Sequence, residues 1–145
     1  MKIKKMRALC VSACLALLIA PAAVNANPAM VSVSDGSIAK LGSTTTVSMT
    51  LDEAPAGLSG YNVTVSLSSP SIAEIMEVAF PSWAIMNSNS ALPADSCWMK
   101  AADLMDGVKP GDTGIDLGTL TIRGDANGQC TIDVTVTKMD DDSGS

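Results

Sequence analysis

Hydrophobic side chains recur at every second position over three long segments, and that spacing leaves little choice but β-strands. In Ser43 to Leu51, Val47, Met49 and Leu51 share one face while Thr46, Ser48 and Thr50 share the other. In Tyr61 to Leu67 the apolar set is Tyr61, Val63, Val65 and Leu67, and the polar set is Asn62, Thr64 and Ser66. In Cys130 to Val136, Cys130, Ile132, Val134 and Val136 alternate with Thr131, Asp133 and Thr135. Successive side chains of a strand point to opposite faces, so each segment predicts a strand with one dry face and one wet face.

Turn-forming residues separate the segments: Asp35-Gly36, Ala54 to Gly57, Ser69-Pro70, Lys109 to Gly111, and Asp125 to Gly128. From Ile115 to Ile122 the phase slips once near Gly118, because Ile115 and Leu117 share one parity and Leu120 and Ile122 the other. A β-bulge at a glycine accounts for that slip. Ile72 to Val78 fits a helical face, yet its flanking prolines favour a short strand or a single turn. Ala84 to Asp95, rich in Asn, Ser and Ala, reads as an exposed loop. Short strands spaced by turns, with almost no helical periodicity, predict an all-β sandwich.

The N-terminus reads as a separate part. Lys2, Lys4, Lys5 and Arg7 precede an apolar run, Ala8 to Ala20, too short to span a bilayer. Small residues at Val24 and Ala26 predict cleavage of a signal peptide, residues 1–26. The sandwich domain is then 27–139, and 140–145 is an acidic tail of Asp140, Asp141 and Asp142. No second apolar stretch approaches membrane-spanning length, so the mature chain is expected to carry no membrane span. Removing the leader leaves five of the 9 basic residues against 15 acidic ones, a formal charge of −10. A nucleic-acid binder neutralises phosphates with Lys and Arg, so that partner is excluded.

Two cysteines remain, Cys97 and Cys130, and in an exported domain an even pair reads as a disulfide. Parity agrees: Cys97 shares its phase with Met99 and Ala101, so both sulfurs can face inward. The alternative is two free, buried thiols.

The chain has no histidine, which removes the commonest general base at neutral pH. No nucleophile motif such as G-x-S-x-G occurs. The expectation is a non-catalytic protein with no catalytic residues, no metal site and no cofactor. The dense oxygen donors, Asp140 to Asp142 and Asp125 to Gly128, lack calcium-loop spacing and read as a solvated tail and a turn. Trp83 and Trp98 are candidate ligand-contacting aromatics for one or two sugars; the alternative is packing over the sandwich ends. Trp98 lies on the phase opposite Cys97 and is expected to face outward. Asn62-Val63-Thr64 is an N-glycosylation sequon with outward parity, or an ordinary polar strand residue.

Val31 to Pro81, built around "STTTVSMTLDEAPAGLSGYNVTVSL", resembles a cohesin module, as does Ile115 to Gly144, "IDLGTLTIRGDANGQCTIDVTVTKMDDDSG". "IAEIMEVAFPSWA", from Ile72 to Ala84, adds to the likeness. The resemblance is to cohesin-like modules of secreted archaeal and bacterial surface proteins. It implies a jelly-roll β-sandwich of about nine strands that binds a dockerin-like protein partner on one sheet face, outside the cell or at its surface. The paired calcium loops belong to the dockerin, and this chain carries no dockerin repeat. Carbohydrate-binding modules share the architecture, so a polysaccharide ligand is the alternative, and a structural role in a cell-surface protein is a third. Contact residues differ too much among cohesins to be carried over by position.

Overall fold

The computed structural model describes residues 29–144; the leader expected at 1–26 lies outside the described residues. Eight strands are present: β1 (Val31–Val33), β2 (Thr44–Ala54), β3 (Gly60–Leu67), β4 (Ala73–Ala79), β5 (Met86–Asn89), β6 (Ser96–Ala102), β7 (Asp112–Gly124) and β8 (Ile132–Asp140). They form two four-stranded antiparallel sheets, in the orders β1-β2-β7-β4 and β5-β6-β3-β8. This is the all-β sandwich expected, with one strand fewer among the described residues than the resemblance implied.

Period two becomes burial. Val47, Met49 and Leu51 of β2 face Val63, Val65 and Leu67 of β3 across one core, joined by Ile75, Cys97, Met99, Leu117 and Leu120. Each such aliphatic side chain contributes about 1.5–3 kcal/mol when fully buried. Ala73–Ala79 is a strand rather than a turn, because it completes the edge of the first sheet against β7. Ala84 to Asp95 is not the uninterrupted loop expected: Met86 to Asn89 pair with Ala102 to Met99. Nothing apolar and periodic marks β5, so its order comes from its neighbour.

The slip near Gly118 is a bulge. Met49 pairs with Gly118 and Thr50 with Asp116, so Leu117 has no partner on β2. Gly118 is required here: its φ is +143°, and a Cβ would lie 3.0 Å from both the Ala79 carbonyl oxygen and Met99 Cε. The bulge keeps Ile115, Leu117, Leu120 and Ile122 all on the core side.

The Cys97–Cys130 disulfide expected from parity is not formed; both thiols are free. Cys97 is buried opposite Val65, while Cys130 precedes β8, its sulfur 3.8 Å from the Ser69 carbonyl oxygen. β3 lies between β6 and β8. Shared inward parity therefore leaves the two sulfurs on opposite sides of a strand and offset along it.

The acidic tail is not wholly free. Asp140 closes the β8 ladder opposite Gly60. Ser59 N–H donates to the Asp140 carbonyl at 2.8 Å, and Asp142 N–H to the Ala56 carbonyl at 3.3 Å. The final turn of the chain is thus tied to the β2–β3 connection.

Candidate functional site

The outer face of the β5-β6-β3-β8 sheet is ruled into four rows by register. Across it run Met86, Ala102, Gly60 and Asp140; then Ser88, Lys100, Asn62 and Lys138; then Trp98, Thr64 and Thr135; then Ser96, Ser66 and Asp133. These are the outward positions of strands whose inward positions fill the core, so alternation alone delivers them to one plane. Six of these fourteen are short hydroxyl or amide side chains, and four more are charged. Trp98 is the aromatic among them, 39% exposed at mid-face, and Met86 at the corner is 62% exposed.

Trp98 stands as expected on the wet side of β6. Its indole lies under the ammonium of Lys100, 5.0 Å from the ring centroid. A cation over an exposed ring of this kind is worth about 0.5–1 kcal/mol. Lys100 has no ion pair among the described residues, unlike Lys109, Arg123 and Lys138. Lys138 pairs with Asp140 at 2.7 Å. Asn62 sits half-buried between Lys100 and Lys138, outward as its parity required.

At the end of this face the absence of side chains makes a groove of about 440 Å³. Gly60 and Ala102 form its floor, with Met86 and Ser88 on one side, Lys138 and Asp140 on the other, and Lys100 and Asn62 at its head. Gly60 is constrained by the neighbouring strand β6, since a Cβ there would approach the Ala101 carbonyl oxygen to 2.7 Å.

Trp83 has a different task. Its Nε1–H donates to the Asp116 carbonyl at 2.8 Å, and its ring meets Tyr61 edge-on with centroids 6.0 Å apart. The Tyr61 hydroxyl donates to the carbonyl of Leu117, the bulge residue without a partner on β2. Burial, with the Asp116 carboxylate adding to it, holds the Tyr61 hydroxyl above the usual tyrosine range, so it remains a donor. Asp116 Oδ1 in turn accepts from Gly118 N–H at 2.8 Å. Two aromatics thus bind the bulge from across the sandwich. Trp83 and Trp98 lie on opposite sides of the second sheet and do not form a shared platform.

The outer face of the other sheet is more uniform. Thr44, Thr46, Ser48 and Thr50 lie opposite Arg123, Thr121, Thr119 and Asp116. Arg123 is occupied by Glu74 at 2.5 Å and Asp125 at 2.7 Å. Asp125 to Gly128 form the β7–β8 turn, as expected. A cavity of about 670 Å³ opens at the sandwich end beneath the β1–β2 connection, with Ile38, Leu67, Ile72 and Ile122 in its wall. No unsatisfied buried polar side chain among the described residues points into it. Among the described residues no cluster of three or more Cys, Asp or Glu side chains could hold a metal ion, and no helix is long and apolar enough to cross a membrane.

Trp98 and Asn62 stand outward as their parity required, while Lys100, Met86 and the groove were not among the residues the sequence pointed to. Lys100 was legible, since it shares the outward phase of Trp98 two residues away. Met86 was not, because its strand has no periodic signal.

No protein-family model matches the sequence, and no curated protein does. Solved structures match in fold. The sixth cohesin of scaffoldin B from Acetivibrio cellulolyticus, in complex with a dockerin, is 13% identical with a TM-score of 0.61, over 81% of this chain and 89% of that one. A type I cohesin–dockerin complex from Clostridium thermocellum is 10% identical with a TM-score of 0.60, over 79% and 89%. A non-cellulosomal cohesin from the hyperthermophilic archaeon Archaeoglobus fulgidus is 18% identical with a TM-score of 0.51, over 72% of each chain. The chain therefore has the jelly-roll sandwich fold of cohesins.

Proposed function

We propose that this protein is an exported, non-catalytic module that holds another protein on the outer face of its β5-β6-β3-β8 sheet. The observation that carries the reading is Trp98, a large aromatic left exposed in the middle of a face with many hydrogen-bonding side chains. Trp is enriched in binding hot spots and Met in interfaces generally, and weaker contacts surrounding a hot spot exclude water once a partner arrives. The cohesin fold, solved elsewhere in dockerin complexes, supports a dockerin-type partner. Such a partner would bring its own calcium. Export rests on the leader-like residues 1–26.

The test is capture from the host's secreted fraction in calcium, with release by chelator. Wild-type protein is expected to retain a partner that chelator frees. Trp98→Ala and Thr64→Arg, both on the outer face, are expected to lose it while unfolding at the same denaturant concentration. Equal retention by both variants would remove this face from consideration. Binding to a glycan array that survives in place of protein capture would favour the carbohydrate reading. That reading now has one exposed tryptophan to work with, because Trp83 is bound into the fold.

A further inference from the structure

The partner's chemistry can be read from the head of the groove. Lys100 is a cation without an ion pair in a molecule whose described residues are strongly acidic. It is held over Trp98 rather than extended at random, so its ammonium has a defined place on the face. Lys138 lies across Asn62 from it, and both side chains line the slot floored by Gly60 and Ala102; the Lys138 ammonium turns to Asp140 beside the slot, and the Lys100 ammonium to Trp98 in the next row. One side of the slot is walled by the apolar Met86. Asp140 already answers Lys138, whereas nothing among the described residues answers Lys100.

We infer that the docking face selects an acidic, amphipathic segment of a protein partner: a carboxylate pairs with Lys100 while a neighbouring apolar side chain enters the groove over Gly60 and Ala102. This rests on the reading of the outer face as the docking surface. The molecule's overall negative charge repels such a segment at long range, but that repulsion is screened beyond about 8 Å at physiological salt. Contact is decided by local charges, which on this part of the face are positive. Sign matching here gives specificity: a basic segment attracted by the rest of the surface meets Lys100 with like charge.

The test is selection from a phage-displayed library of short random peptides on the purified protein. The peptides retained are expected to be enriched in Asp or Glu beside Leu, Ile or Met. Synthetic copies should bind Lys100→Glu and Ala102→Gln roughly 10-fold more weakly, which is about 1.4 kcal/mol. Replacing the peptide's acid by Lys should restore binding to Lys100→Glu. Retained peptides without acidic enrichment, or with equal affinity for Lys100→Glu, overturn the inference, as does an empty selection. If those peptides still lose affinity for Trp98→Ala, the docking face stands and only the charge pairing fails. If they bind Trp98→Ala and Thr64→Arg unchanged, the docking face fails with it.

Discussion

Tyr61 has two parts with two tasks: its ring fills the core and its hydroxyl satisfies the Leu117 carbonyl left over by the bulge. Tyr61→Phe keeps the ring and orphans that carbonyl, so it should cost about 1–3 kcal/mol, read as a lower urea midpoint at constant slope. Gly118→Ala should cost more than a surface change, at least about 1 kcal/mol, because it combines strained backbone with two 3.0 Å contacts. The free thiols give a third residue-scale expectation. Alkylation in denaturant without reductant should add two labels to the described part of the chain; an unlabelled Cys97–Cys130 pair would contradict the arrangement described.

At the scale of an element, the β6–β7 connection is ordered by one carboxylate. Asp103 Oδ2 accepts from Val108 N–H at 2.7 Å, and Oδ1 from Met105 N–H at 3.3 Å. Burial pushes its pKa up, but the backbone N–H groups of Gly107, Val108 and Met105, with Lys109 nearby, outweigh that and hold it below the usual carboxylate range. The folded state therefore favours the charged form. Its stabilisation is fully present above the unfolded value near 3.9 and is lost as pH falls through the lower, folded value. Asp103→Asn should be less stable than wild type at pH 7, and the gap in urea midpoint should narrow as the pH is lowered below about 4. A gap that stays constant on acidification would show that the charge is not the cause. β5 contrasts with it: Asn87 Nδ2 donates to the Ala84 carbonyl at 2.6 Å and Asn89 Nδ2 to the Ser90 carbonyl at 2.8 Å, and the strand is otherwise set by its ladder with β6.

The whole molecule is held by ladders between strands far apart in sequence, β2 with β7 and β3 with β8. Such pairings require long loops to close before they return any energy, so refolding after dilution from denaturant should fall on the millisecond-to-second scale. Microsecond refolding would be inconsistent with this topology. The two outer faces differ at this scale as well. Arg123 on one is already neutralised by Glu74 and Asp125, while Lys100 on the other is not. The docking face proposed for this molecule rests in part on that asymmetry.

Alternation by itself determined β2, β3, β7 and β8, the dry faces of β2 and β3, the bulge near Gly118 and the outward position of Trp98; the apolar face expected on β8 is only half-buried, with Val136 exposed. Those features depend only on a strand's period of two, which is local. What lies beside what is not local, and the tertiary structure alone decided it. Cys97 and Cys130 have compatible parity but stand on either side of β3. Trp83 carries no such phase in the sequence, and only the fold shows that it closes the bulge while Trp98 faces solvent. β5 exists because β6 offers an edge, and the groove exists because Gly60 and Ala102 meet across two strands. Parity tells a residue which way to point; only register tells it which residue it will stand next to.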